Sequence, residues 1–159
     1  MKLDPKLIIG LGNPDKEYDN TYHNAGFLFI DFLIKNKPPK ARLLKSEVYM
    51  NRSGNFVSKT IKKTGTKPLN LLIAHDDSDL AIGQFKLSFG RGPAGHKGVI
   101  DIIKAIKTQD FWRLRIGIRP QREKIRQKAE KFVLKKISSA NKKIFESVFK
   151  QALTNITSS

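Results

Sequence analysis

Short apolar runs that end in glycine or in polar residues alternate with helical patterns along almost the whole chain, and this alternation is the strongest constraint on its fold. Lys6–Gly12 (KLIIGLG) is an apolar run closing on glycine, which predicts a buried strand feeding a loop. Asn70–His75 (NLLIAH) predicts a second buried strand, and Arg42–Met50 and Leu114–Ile118 two more. Gln84–Phe89 alternates Phe85, Leu87 and Phe89 with Gln84, Lys86 and Ser88, the mark of a half-exposed strand. Ala25, Leu28, Phe29, Phe32 and Leu33 predict a helix to about Lys35, with Asn20 or Thr21 as its cap. Phe56, Val57 and Ile61 give a basic helix over Asn55–Thr64 its apolar face. Further helical faces come from Val99, Ile102, Ile103 and Ile106, from Ile125, Ala129, Phe132 and Val133, and from Ile144, Val148 and Ala152. Strands alternating with helices predict a single α/β domain, three layers (α/β/α) around a mixed, mostly parallel sheet. The 159 residues suit one core and leave no room for two.

The chain carries 31 Lys and Arg against 14 Asp and Glu, a formal charge of +17, which directs attention to polyanionic partners. Ten Phe and 39% hydrophobic residues supply a core, so this is not a disordered polycation. Arg122–Lys150 concentrates the excess in a basic helical C-terminal region, opposed only by Glu123, Glu130 and Glu146. No apolar run approaches the ~20 residues of a membrane span. Asp4, Pro5 and Asn13 interrupt the stretch a signal peptide would need, so a cytoplasmic location is expected. The absence of cysteine excludes disulfides, thiolate metal sites and a thiol nucleophile. The histidines and carboxylates could in principle form a zinc site, but nothing in their spacing prompts one. No heptad seam or spare apolar face calls for a protein partner, so a monomer is expected.

In such sheets, functional groups gather where strands end. Asn13 follows the first strand. His75, Asp76, Asp77 and Asp79 follow Leu71–Ala74, and Asn51 follows Val48–Met50. His96 and Lys97 lie in the glycine-rich loop Gly90–Gly98, and His23 in the first turn of the first helix. An imidazole there could act as a general base near neutral pH, with a strand-end Asp to orient it. Direct attack by an activated water fits, because no serine sits in a G-x-S-x-G elbow. Each group has a plainer reading as well: a capping histidine, a solvated acidic turn, turn asparagines, a solubilising basic surface. The glycine loop lacks the Lys-Ser/Thr pair of a nucleotide-binding loop.

Taken in order, the segments resemble the bacterial-type peptidyl-tRNA hydrolase family. Ile8–Pro14 (IIGLGNP), Glu17-Tyr18 and Thr21–Gly26 (TYHNAG) resemble its opening. Tyr49–Gly54 (YMNRSG), Ala74–Leu80 (AHDDSDL), Gly95–Gly98 (GHKG) and Arg113–Ile118 (RLRIGI) resemble its later motifs, so that the likeness spans roughly Lys6 to Leu134. The resemblance implies hydrolysis of the ester joining a peptide to the 3′ end of tRNA, without metal or cofactor. By motif position it implies His23 as the base and Asp76 as the acid that orients it; Asp77 matches an acidic position without a catalytic role. It also implies Asn13 on the peptide side, where it helps reject unblocked aminoacyl-tRNA. Asn51 would position the substrate, and Tyr18 and Tyr49 would line the groove. Lys86 and Arg115 would clamp the tRNA 5′-phosphate, a contact that positions without reading sequence.

The chain departs from the pattern in two places. Lys97 stands where the family usually has Asn; its ammonium can donate but not accept, and close to His23 it would lower that imidazole's pKa. The stretch Leu33–Val48 is shorter than usual. The competing expectation from sequence is a catalytically inactive RNA-binding relative serving RNA processing or ribosome assembly. An active enzyme requires His23 and Asp76 within hydrogen-bond reach, with the asparagine amides around the same hollow.

Overall fold

The computed structural model describes residues 2–36, 39–120 and 132–158. Its strands are β1 (Leu7–Gly10), β2 (Arg42–Lys45), β3 (Leu71–Ala81), β4 (Phe85–Phe89) and β5 (Trp112–Arg119). Its helices are α1 (Ala25–Lys35), α2 (Ser53–Thr64), α3 (Lys97–Ile106) and α4 (Ser139–Thr157), with short 3₁₀ turns at Tyr22–Asn24 and Met50–Arg52. The strands form one sheet in the order β2-β1-β3-β5-β4. All neighbours are parallel except β4, which runs antiparallel to β5. The mixed, mostly parallel α/β architecture is therefore the one the alternation predicts.

Period-two alternation in buried strands sends side chains to opposite faces, and here both faces are covered. Ile8, Leu72, Ala74, Leu114 and Ile116 join one apolar cluster with Phe29 and Leu33 of α1 and Phe145, Val148, Phe149 and Ala152 of α4. Leu7, Ile9, Leu71 and Ile73 join the other, with Val57 of α2 and Val99 and Ile102 of α3. Of the C-terminal apolar face, Phe132 is buried and Val133 packs on the first cluster; Ile125 and Ala129 lie outside the described residues, with the basic run Arg122–Lys131. Among the described residues, no helix is long and apolar enough to cross a membrane.

Several elements differ from expectation. The second strand ends at Lys45 rather than Met50, which lies in the 3₁₀ turn leading into α2, and α2 itself begins at Ser53. The third strand does not stop at His75. It continues to Ala81 because β5 keeps pairing with it, from Asp77↔Gly117 across a register shift to Ala81↔Arg119. The acidic group is thus part of the sheet, with Asp76 and Asp77 buried. His23 sits in the 3₁₀ turn before α1 rather than in its first turn, and Lys97 is the first residue of α3 rather than a loop residue. Neither Asn20 nor Thr21 caps α1: Asn20 adopts positive φ, and the Thr21 hydroxyl donates to the Tyr18 carbonyl.

One close crossing sets the site. A Cβ on Gly26 would lie 2.3 Å from the Ala74 carbonyl oxygen, and one on Gly10 would lie 2.3 Å from the Gly26 carbonyl oxygen. Glycine at both positions lets the start of α1 touch the end of β1 and the middle of β3, at Ala74. That contact places the turn carrying His23 beside Asp76.

Candidate active site

The Tyr22–Asn24 turn is tied down by the segment that precedes α4. The His23 amide donates to the Val133 carbonyl at 2.7 Å, Tyr22 N–H to Lys135, and Ile137 N–H to Asn20. Lys136 Nζ donates to the carbonyls of Glu17 and Asp19. Tyr22 packs against Phe145 and accepts from Asn141 through its hydroxyl. The backbone around the candidate base is therefore fixed by the segment that precedes α4.

His23 Nδ1 lies 2.9 Å from Asp76 Oδ2, and His96 Nε2 lies 2.8 Å from Asp76 Oδ1. Both carboxylate oxygens accept, so both ring nitrogens carry protons. His96 Nδ1 in turn accepts the Val99 N–H at the start of α3. In its neutral form His23 is thereby left with its proton on Nδ1 and a bare Nε2. Burial alone would raise the Asp76 pKa, but the charges and hydrogen bonds of His23 and His96 outweigh it and hold the carboxyl well below the usual carboxylate range. Burial opposes a charge on His23; the charge and hydrogen bond of Asp76 prevail and raise its pKa above the ordinary imidazole value, while Lys97 opposes them. The influence expected of Lys97 thus has the expected sign, but Asp76 sets the net direction.

His23, Asp76 and His96 also place their nitrogen and oxygen atoms within 4.8 Å of one another, a donor set of the kind that holds a metal. His23 Nδ1, both Asp76 carboxylate oxygens and His96 Nε2 are already engaged in hydrogen bonds. A metal on His96 Nε2 would need that proton moved to Nδ1, which already accepts from Val99. The arrangement reads as a hydrogen-bonded triad.

His75 takes no part in it. Its Nδ1 donates to the Asp76 carbonyl at 2.7 Å, and its Nε2 faces the Arg113 guanidinium at 3.3 Å. Burial first, then the His96 and Arg113 charges, lowers its pKa well below the ordinary value, so it is uncharged. Arg113 also donates to the Gly92 carbonyl, which anchors the glycine-rich loop to the sheet. Asp77 accepts from Arg115 Nε at 2.7 Å. Of the two acids considered, Asp76 meets His23 and Asp77 meets an arginine.

Asn13 is buried, and its Oδ1 accepts the Met50 N–H at 2.8 Å. This contact joins the loop after β1 to the turn carrying Asn51, which is exposed. Tyr18 and Tyr49 meet edge-on with ring centroids 6.5 Å apart, and the Tyr49 hydroxyl donates to Asp15. Lys86 and Arg115 are direct partners across β4 and β5. With Arg91 and Arg113 they line an open hollow of about 830 Å³. Lys97 is exposed at the start of α3.

Sequence reasoning missed two contributors. His96 was visible only as a loop histidine, and Asn24 only as a residue of the TYHNAG segment. The adjacency of Asn24 to His23 was its one available signal.

The peptidyl-tRNA hydrolase family profile matches residues 7–159. The chain belongs to the peptidyl-tRNA hydrolase family. A peptidyl-tRNA hydrolase of Aquifex aeolicus is 39% identical over 170 aligned positions, which cover 95% of this chain and 88% of that protein. A crystal structure of Acinetobacter baumannii peptidyl-tRNA hydrolase superposes with a TM-score of 0.81 at 33% identity, covering 99% of this chain and 97% of the other. A family structure in complex with N-propanol gives a TM-score of 0.83 at 35% identity over 96% of this chain and 87% of that one. The motif resemblance and these likenesses agree on the family.

Proposed function

We propose that this chain hydrolyses the ester between a peptide, or an N-blocked amino acid, and the 3′ oxygen of tRNA, with His23 as general base. The observation that carries the reading is the 2.9 Å contact of His23 Nδ1 with Asp76, which leaves Nε2 bare. Nε2 takes a proton from water as the water oxygen bonds to the ester carbonyl carbon. Asp76 stabilises the imidazolium that forms. Collapse of the tetrahedral intermediate breaks the bond to the ribose oxygen, and Nε2 returns the proton to that leaving group. The products are a peptide acid and tRNA with a free 3′ end. An ester needs little leaving-group help, so one base and good positioning suffice.

The other groups serve as positioners in this reading. With Oδ1 engaged by Met50, Asn13 presents its NH₂ as a donor to the peptide side, where it also discriminates against unblocked aminoacyl-tRNA. Asn51 positions the scissile region, and Tyr18 and Tyr49 form the wall of the groove. Lys97 offers an ammonium to the oxyanion or to the terminal nucleotide. Lys86 and Arg115 hold the tRNA 5′-phosphate; Arg91 and Arg113 share their hollow, and Asp77 offsets one of these charges. The chain acts as a single domain and a monomer in the cytoplasm.

Release of an N-acetylated amino acid from tRNA by the wild type and by His23→Ala tests the reading. Rapid release by the wild type and background release by the variant are expected. Background rates for both would favour the inactive RNA-binding alternative.

A further inference from the structure

Asn24 adjoins the proposed base in sequence, yet its side chain points elsewhere. It is 1% exposed. Its Oδ1 accepts the Asn13 N–H at 2.8 Å and its Nδ2 donates to the Asn13 carbonyl at 2.9 Å. Both main-chain polar groups of Asn13 are thus gripped by one amide. Asn24 occupies the N-cap position of α1 but makes no capping hydrogen bond there. An asparagine in that position ordinarily satisfies the helix's own N–H groups; here it satisfies a loop eleven residues away. The fit is close, since a Cβ on Gly12 would lie 2.8 Å from Asn24 Oδ1.

We propose that Asn24 is a positioning residue that sets the register between His23 and Asn13. It rests on the reading of those two residues given above. The Tyr22–Asn24 turn directs His23 to Asp76 and Asn24 to the loop after β1, so one rigid turn fixes the base and the peptide-binding amide together. The coupling reaches further, because Asn13 Oδ1 holds Met50 N–H. The Ser53 hydroxyl donates to the Met50 carbonyl at 2.7 Å, and Asp101 of α3 accepts the Gly54 N–H at 2.7 Å. The loop after β1, the turn before α1 and the turn bearing Asn51 are consequently linked through buried amides.

Side-chain amides suit this task because one group supplies a donor and an acceptor at fixed spacing. Alanine at position 24 would strand a buried N–H and a buried carbonyl and free the loop to shift. Displacements near 1 Å can lower turnover on the order of 100-fold.

The test is a double-mutant cycle on Asn13→Ala and Asn24→Ala, read as kcat/KM on N-acetyl-aminoacyl-tRNA and on the unblocked substrate. If Asn24 acts through Asn13, each single variant loses roughly 10- to 100-fold, and the double variant is no worse than Asn13→Ala alone. Asn24→Ala should also narrow the preference for blocked over unblocked substrate, with the acid limb of the pH profile unmoved. A merely structural role would lower Tm and leave that preference intact. Asn24→Asp keeps the acceptor for the Asn13 N–H but sets an oxygen against the Asn13 carbonyl, and serves if the alanine variant does not fold; it too should lose activity and narrow the preference. Losses that multiply across the cycle, or a full preference in a folded Asn24 variant, overturn the positioning role. An Asn13→Ala enzyme equal to wild type overturns the reading of Asn13 on which it rests. The His23→Ala result stands apart from both.

Discussion

Asp76→Asn is the substitution whose outcome the geometry specifies most fully. The carboxylate accepts from His23 Nδ1 at 2.9 Å and from His96 Nε2 at 2.8 Å. An amide has one acceptor and one donor group, so it cannot serve both. The proton of His96 is held on Nε2 by the Val99 N–H at its other nitrogen. The amide oxygen therefore stays with His96, and the amide NH₂ faces His23. To avoid a clash of donors, His23 moves its proton to Nε2, the atom that must take one from water. Loss of the charge-assisted bond is worth about 1.5–3 kcal/mol, or roughly 10- to 100-fold in rate. An enforced wrong tautomer is worth up to about 10⁴-fold in a comparable base–acid pair. The expected loss in single-turnover release of N-acetyl-aminoacyl-tRNA is thus on the order of 10²- to 10⁴-fold, with folding checked by thermal melting. The pH limb should also move. Asp76 supplies the terms that raise the His23 pKa, while burial and Lys97 lower it. Without Asp76 the remaining activity should persist to lower pH than in wild type. Activity within threefold of wild type, or an acid limb displaced upward, would refute the reasoning.

Other substitutions test separate parts. Lys97→Met removes a charge that lowers the His23 pKa, so the acid limb of kcat/KM should move to higher pH; an unmoved limb shows that Lys97 does not reach the base. Gly26→Ala should destabilise the fold by about 3 kcal/mol in urea titration. Its Cβ would meet the Ala74 carbonyl at 2.3 Å and Leu11 N at 2.7 Å, and wild-type stability would contradict that contact. His75 is held uncharged, so its folded pKa is depressed. Its contribution is complete above the unfolded-state pKa. It declines as pH falls below that value, because the unfolded chain then binds a proton the fold refuses, approaching about 1.4 kcal/mol per pH unit. Compared with His75→Asn, wild-type stability should fall faster from pH 7 toward pH 5, where equal slopes would contradict the burial of an uncharged His75.

The sequence disclosed the sheet where local chemistry and tertiary context agree. The runs at Lys6–Gly12 and Asn70–His75 are apolar because both sheet faces are covered, and they read as strands at once. The continuation of β3 through Asp76–Asp79 was not legible. Four polar residues in sequence signal a loop unless partners from elsewhere satisfy them, and those of Asp76 and Asp77 come from His23, His96 and Arg115, which are distant along the chain. The early end of β2 has a similar origin. Its parallel pairing with β1 runs only to Gly10↔Lys45, because β1 ends at that glycine. The base and its acid were legible through the ordered motifs, since neither residue type nor spacing chose between Asp76 and Asp77. The role of Asn24 stayed hidden because asparagine before a helix ordinarily means a cap.

The most direct measurement of the central claim is the titration of ¹⁵N-labelled His23 by NMR, set beside the acid limb of kcat/KM. The account predicts a proton on Nδ1 and a bare Nε2 above the transition, a midpoint above the ordinary imidazole value, and coincidence with the kinetic limb. A proton on Nε2, or a His23 midpoint that differs from the kinetic limb, would contradict His23 as the base held by Asp76.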